Sequence, residues 1–414
     1  MEVLKNLPME FVKPFVLSFD MLHRGGAGFL LDVRYPRNVK KYVRFVFTIP
    51  CILVTYVSLS PAFLDVFGEK LDLSLLANLV ALYGTVIQGF FKIVVVCKNK
   101  REIKSVTTRL GTIWRMTDLN GEQIKKKNGM LKMLRYFQSV FYWVNMAGLW
   151  QYIVAPLVET LFCAFMSKEE CEWLFPFPCT FPFNPTRNWL IYILTYVFEA
   201  YGIYTAICLY LSPEFLVITL CAHLSTEFML LQEDLRNIDL GKTNVSTSNT
   251  EETVCEEYSN VISLNGFVRR HQKLVKLAQE LDAIFNKMIF VNLLFPTITI
   301  CFFGFTARLA EGPLQIVGGY VTVIALILPI FNLCYYSQVL SEASVGLADA
   351  AYELLWYKNN KDIQRKICFI IQRCQKACSM TSLGYSPITL KTFTKVLSTT
   401  WSYFSLATTI YEDE

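Results

Sequence analysis

Residues 396–414 read VLSTTWSYFSLATTIYEDE. The stretch is helix-length and aromatic, yet dotted with Ser and Thr, and it closes on Tyr-Glu-Asp-Glu. A membrane-spanning helix needs roughly 20 mainly apolar residues, and Pro387–Tyr411 meets that length while being the weakest candidate by hydropathy. Whether it crosses decides between an even and an odd number of spans, and so on which side the chain ends. At about 3.6 residues per turn, Ser398, Ser402, Ser405 and Thr409 share one face, and Lys391 and Lys395 continue the stripe. Val396, Trp401 and Phe404 lie mostly elsewhere. Hydroxyls gain nothing from lipid, so the stripe is expected to meet protein or water. Ser and Thr are common where membrane helices pack. They also suit a pore wall, where hydroxyls let ions pass and apolar rings close the path by dewetting. One copy of one helix encloses no pore, so that second reading requires several subunits.

The rest of the chain makes a crossing plausible. It has 414 residues, 53% of them hydrophobic and only 18% charged, against about 25% charged in a soluble domain. Six further candidate spans precede the last one: Tyr42–Ser60, Leu73–Cys97, Phe137–Phe165, Trp189–Leu211, Met288–Ala307 and Leu314–Leu333. The fourth continues through EFLVITLCAH to His223 as one long helix containing Pro213. Lys and Arg concentrate on the cytosolic side of membrane proteins. Counted over the connecting segments, the fourth taken as 231–281, they run 7, 1, 11, 2, 6, 1, 6 and 0. That unbroken alternation predicts seven transmembrane helices, with the N-terminus cytosolic and the C-terminus extracellular. It opposes the topology of a G-protein-coupled receptor. The sequon at Asn244 falls on the cytosolic side, and no cleavable leader is evident, so the N-terminus is expected to be retained.

The fold class expected is therefore an all-α membrane protein. Residues 1–41 form a cytosolic N-terminal segment and 42–334 the first six spans. Residues 335–386 form a cytosolic helical base, and 387–414 the seventh span. The charged, helically patterned stretch EYSNVISLNGFVRRHQKLVKLAQELDAIFNKM extends the fifth span inward, whereas LGKTNVSTSNTEETVCEE lacks periodicity and reads as a loop. The chemistry of an enzyme is missing. His23, His223 and His271 form no paired motif, RGGAG at 24–28 lacks the rest of a phosphate loop, and Cys374 and Cys378 have no second pair to complete a metal site. No cofactor or metal is expected. The net charge of +5, without a basic cluster interleaved with aromatics, gives nucleic acid no surface. Cys171 and Cys179 share a short aromatic loop and are candidates for a disulfide, with Cys163 an alternative partner. Glu159 and Glu199 are carboxylates within spans, where charge is costly; placement near the outer interface is the expectation for both.

Seven spans, this topology, the aromatic richness and the ending FTKVLSTTWSYFSLATT resemble the insect odorant receptor family, whose C-terminal signature is a Phe, a spaced Ser and an aromatic Ser-Tyr-Phe. GLADAAYELLWY resembles that family's segment before the last span. The Thr-Tyr…Gln-Phe ending of the related gustatory receptors is absent. The resemblance implies an odorant-gated, non-selective cation channel of the plasma membrane of sensory dendrites, with four subunits around one pore, commonly including a shared co-receptor. It implies a pore face of Thr399, Ser402, Leu406, Thr409 and Ile410, with Leu406 and Ile410 as the gate. It places subunit contacts in the cytosolic base, at Tyr352, Trp356 and Tyr357. It implies a pocket for a small apolar volatile among spans two, three, four and six, at Leu79, Tyr83, Gly84, Met146, Trp150, Tyr196, Phe198, Tyr201, Tyr320 and Ile324. The chain lacks the long acidic insertion expected of the co-receptor, which favours a ligand-tuned subunit. A chemoreceptor signalling through a G protein and a gustatory-type channel are the alternatives.

Overall fold

The computed structural model describes residues 7–28, 52, 54, 57, 73–166, 173–177, 179–238, 264–309 and 312–413. Its helices are α1 (Met9–Val12), α2 (Phe15–Arg24), α3 (Leu73–Lys98), α4 (Lys100–Ile113), α5 (Gly121–Met166), α6 (Trp189–Arg236), α7 (Leu264–Leu309), α8 (Pro313–Tyr352), α9 (Lys361–Cys374) and α10 (Leu390–Asp413). One antiparallel hairpin interrupts them, β1 (Thr381–Ser382) paired with β2 (Ser386–Pro387). Helix is the expected answer for such a chain, because in hydrocarbon every backbone N–H and C=O must find its partner within the same segment. Five of the described helices are long and apolar enough to cross a membrane, α3 and α5 to α8. α10 is not one of them. The first expected span, Tyr42–Ser60, lies outside the described residues except for Ile52, Val54 and Val57, which are helical; Asn244 and Cys171 also lie outside them.

Four of these helices outrun the bilayer. α5 and α7 have 46 residues and α6 has 48, which is about 70 Å at 1.5 Å per residue, against about 30 Å of hydrocarbon. Each therefore carries its apolar pattern through the membrane and then continues as a charged helix. α7 joins the stretch from Leu264 to the fifth span as expected. α8 likewise runs without a break through position 335, where the base was expected to begin, so about five of its turns lie on the base side of that boundary. Pro156, Pro213, Pro296 and Pro329 all sit inside helices, which neighbouring helices make tolerable in membranes.

The core runs along α6, whose residues from Cys208 to Phe228 are buried without interruption. α8, α5, α2 and α3 surround it. At one end, here the basic end, α1 and α2 dock against α6. The His223 ring lies among Phe11, Phe15 and Trp114, with centroids 4.7, 5.2 and 4.7 Å away, and Ser18 and Ser212 exchange side-chain to backbone bonds of 2.8 and 2.9 Å. Arg115 holds Asp234, and Arg270 holds Glu227 at 2.7 Å. Also at this end, Cys374 Sγ lies 3.6 Å from His271 Nε2. Burial pushes the imidazole down to about 4 and the thiol up to about 12, so both stay neutral near pH 7 and the thiol is inert.

Between α3, α6 and α7 lies a polar knot. Lys92 Nζ is 2.8 Å from Glu214 Oε1, with side chains 0% and 1% exposed. Asn292 Nδ2 donates to the same oxygen at 2.5 Å, Gln88 Nε2 donates to Asn292 Oδ1 at 3.0 Å, and the Lys92 ammonium sits 3.4 Å from the centre of the Tyr210 ring. Removing one member of such a pair leaves an uncompensated buried charge, at a cost of about 3–5 kcal/mol. Lys92→Met alone should therefore lower the unfolding midpoint of the detergent-solubilised protein sharply. Lys92→Met combined with Glu214→Gln, which removes both charges and keeps an acceptor for Asn292, should recover more than half of that loss. Equal midpoints for the single and double variants would show that the pair carries no such coupling.

Candidate functional site

α10 packs by one face only. Phe393, Val396, Leu397, Thr400, Phe404, Ala407 and Thr408 are turned toward the bundle, at spacings of three and four residues, against α7 and α8. Phe393 meets Phe331 at 5.4 Å. The opposite face holds Lys395, Ser398, Thr399, Ser402, Leu406, Thr409 and Ile410, all exposed on the single chain. Leu406 and Ile410 are 58% and 54% exposed, and their i, i+4 spacing stacks them one turn apart. The hydroxyls are not idle: Thr399 donates to Lys395 O at 2.9 Å, Ser402 to Ser398 O at 3.0 Å and Thr409 to Ser405 O at 3.0 Å. Their hydrogens are held by the helix itself, so oxygen lone pairs are what the face offers outward, the half of a hydroxyl that a cation or a water hydrogen uses.

The hairpin fixes where this helix starts. Thr381 donates to Asp282 through its N–H at 2.6 Å and its hydroxyl at 2.8–2.9 Å. Ser337 donates to Ile388 O at 2.8 Å and accepts from Met380 N at 3.2 Å. The turn between the strands puts Leu383 at φ 53° and Gly384 at φ 82°. Glycine takes that conformation freely, whereas a leucine does so at a cost, met here by the anchorage of the flanking residues. Leu390 N–H then donates to Gln338 Oε1 at 2.9 Å. Nothing in the sequence pattern announced this hairpin, because each strand is only two residues long.

The expected subunit contacts are on the surface of the single chain. Tyr352 and Tyr357 are exposed, and Trp356 is half-buried against the core. Leu355 and Phe369 add further exposed apolar area beside them.

The ten expected ligand residues divide. Leu79 and Tyr83 cluster with Phe177 and Cys179, and Tyr196 is buried close by, its hydroxyl bonded to Ile153 O. Met146 is buried in the main core, and Phe198 is half-buried. Gly84 faces α7: a Cβ there would lie 2.7 Å from Thr299 Cγ2, so the glycine serves close helix packing. Trp150, Tyr201, Tyr320 and Ile324 are exposed on the outside of the bundle, because a depth match along a helix does not specify which face a residue takes.

The loop from Trp173 folds inward over this end, here the aromatic end. Trp173 lies edge-on to Trp189 and Tyr192, Phe175 packs on Tyr192 and Tyr196, and Phe177 reaches Tyr152 at 6.3 Å. Tyr192 Oη donates to Leu174 O at 2.7 Å. Cys163 is disulfide-bonded and Cys179 keeps its thiol, which corrects the Cys171–Cys179 pairing. Glu199 is 0% exposed and accepts the Phe177 N–H at 3.4 Å. Glu159 is half-buried.

The comparisons with known proteins meet this arrangement from two directions. The family model described as 7tm Odorant receptor matches residues 73–401. Odorant receptor 67c of Drosophila melanogaster is 28% identical over 60% of this chain and 58% of its own length, and Odorant receptor 13a of the same fly is 26% identical over 64% and 63%. The aligned region thus spans less than two thirds of either relative. Among solved structures, the insect olfactory receptor OR5 from Machilis hrabei in complex with eugenol superposes with a TM-score of 0.74 over 97% of both chains at 13% identity. That likeness establishes the fold, a bundle of seven membrane helices.

The one-sided packing of α10 is directly measurable. Cysteines introduced at Thr399, Ser402 and Leu406 should react with a membrane-impermeant thiol reagent, read on the tryptic peptide, at least about tenfold faster than cysteines at Thr400 and Thr408, since thiol reactivity follows access. Equal rates at positions 399 and 400 would overturn the assignment of faces.

Proposed function

Because the chain belongs to the 7tm odorant receptor family, a family of receptors and not of enzymes, we propose that it is a ligand-tuned subunit of an odorant-gated, non-selective cation channel. It is a multi-pass membrane protein; the reading puts it in the plasma membrane of a sensory dendrite, with the basic end in the cytosol. The observation that carries the proposal is the free face of α10. A helix packed on one side and lined on the other by Thr399, Ser402, Leu406, Thr409 and Ile410 needs further copies to cover that side. Four such faces around an axis give a water-lined path of hydroxyl oxygens closed by rings of Leu406 and Ile410. The exposed Tyr352 and Tyr357, with the half-buried Trp356 beside them, supply the contacts that hold the subunits together, with a co-receptor subunit as partner. Similarity to a receptor solved with eugenol supports a small, largely apolar ligand at the aromatic end.

Gating then follows from differential affinity. A ligand opens the channel only to the extent that it binds the open arrangement better than the closed one. Replacing an apolar gate ring by a hydroxyl removes the dewetting barrier without touching the ligand end. In cells expressing this subunit with a co-receptor, Ile410→Ser and Leu406→Ser should each raise the resting current severalfold over the unsubstituted channel. The current should persist in excised patches without GTP. Unchanged leak in both variants would remove the gate assignment, and loss of current on excision that GTP restores would favour a receptor acting through a G protein.

A further inference from the structure

From Leu390 to Tyr411, α10 has two charged residues, Lys391 and Lys395, both positive. Both are exposed on the single chain. At about 100° per residue, Lys395 lies within about 20° of Leu406 around the helix, and Lys391 within about 60°, in the same direction as Thr409. The packed residues Phe393, Leu397 and Phe404 lie on the opposite side. The helix is unbroken from Leu390 to Asp413, so the face that presents Leu406 to a path presents the two lysines to it as well. They differ in depth. Lys395 stands eleven residues before Leu406, about 16 Å at 1.5 Å per residue, and Lys391 stands a turn further toward the basic end. Rings of Lys or Arg at the narrowest point of a pore select anions. Here the charge is set back from the apolar rings by more than about 8 Å, the distance over which salt screens it at physiological ionic strength. It therefore acts on the water-filled entrance and leaves the gate to Leu406 and Ile410.

We infer that Lys391 and Lys395 form a positive collar at the cytosolic entrance of the path, which favours inward over outward cation flow and hinders divalent cations leaving the cell more than monovalent ones. This deepens the channel reading and rests on it. A wall of one sign depletes ions of that sign from the water beside it. Cations arriving from the cytosol meet the lysines before the gate, whereas cations arriving from outside meet them only after it. The depletion is a Boltzmann factor, so a factor f for a monovalent cation becomes f squared for a divalent one. A lysine whose ammonium instead snorkels to lipid headgroups would leave both directions of flow alike.

The test uses the full-length subunit expressed with a co-receptor and carrying Ile410→Ser, whose resting current needs no ligand. The readout is the ratio of outward to inward current at equal and opposite voltages, in excised patches with identical solutions on both sides. Lys391→Gln together with Lys395→Gln should raise that ratio at least about twofold with sodium as the permeant ion, and by about the square of that factor with calcium. Lys395→Arg, which keeps the charge, should leave it in place. Raising the salt on both sides to about 1 M, where screening reaches about 3 Å, should move the channel that keeps both lysines toward the neutralised one. After Lys395→Cys, a cationic thiol reagent applied from the cytosolic side should lower the ratio and an anionic one raise it, relative to the channel that keeps Lys395. A ratio that the neutralised pair leaves unchanged, or that both reagents leave unchanged or shift alike, overturns the inference while the leak leaves the channel standing. No leak in Ile410→Ser or Leu406→Ser removes the channel reading, and the collar with it. If the neutralised pair fails to reach the surface, the two reagents on Lys395→Cys decide alone.

Discussion

A helix that its own bundle can cover on one side only is the constraint from which the rest of this structure follows. α10 buries Phe393, Leu397, Thr400 and Phe404 against α7 and α8 and leaves Thr399, Ser402, Leu406 and Ile410 uncovered. Polar cost is not what forbids lipid there, because the hydroxyl hydrogens are bonded one turn back. What lipid cannot use is the row of lone pairs, and what water cannot use is the Leu406–Ile410 edge. A surface half suited to each solvent is most stable where it meets water intermittently and its own copies otherwise. On the proposed channel reading, such a surface suits a gate, which would tie the weak hydropathy of the segment to that role.

The hairpin before α10 makes this face responsive to the remainder of the chain. Ser337, Gln338 and Ser344 lie on α8; Asp282 and Asn286 lie on α7. Together they hold the chain from Cys378 to Leu390 through Cys378 N, Met380 N, Thr381, Leu383 N, Ile388 O and Leu390 N. α7 and α8 are continuous helices of 46 and 40 residues, so each runs from the aromatic end to this anchorage. Packed helices shift as units rather than deform continuously. A change in how α7 and α8 sit at one end must therefore be felt at the first turn of α10. The left-handed Leu383 is the sort of position that persists only where its surroundings over-determine it; its own N–H is bonded to Asn286 O and Thr381 to Asp282, both on α7.

The long helices were legible in the sequence because span length and 3.6-residue periodicity are strong, repeated signals. The continuation of α7 through Leu264 and of α6 past Pro213 could be read for the same reason. The faces of α10 were half legible: the Ser398–Ser402–Ser405–Thr409 stripe marks the uncovered side, but Leu406 and Ile410 stand among it, and hydropathy alone selects against them. The proposed ligand end was the least legible. Depth along a helix picked Trp150, Tyr201, Tyr320 and Ile324, which the fold turns outward, because in a membrane both faces of a helix are apolar and the pattern that separates inside from outside in a soluble protein is missing. Phe177 was not legible, and Cys179 only as a disulfide candidate, because they sit in a loop whose placement depends on tertiary contacts with Glu199 and Leu79. Glu199 was visible as a charge in a span; its depth of burial was not.

The two deeply buried carboxyl groups of the membrane bundle bring these points together. Glu214 has a cation at 2.8 Å and an amide at 2.5 Å, and it ties three helices whose relation to one another needs no change. Glu199 has a backbone N–H and a thiol, both from a loop, and an oxygen without a described partner. Burying a charge is tolerable only where something pairs with it. In the first case the chain supplies the partner permanently, which suits a structural joint. In the second the chain supplies a backbone N–H and a thiol, both from the loop that follows Trp173, so the burial of Glu199 is coupled to the way that loop folds over α6.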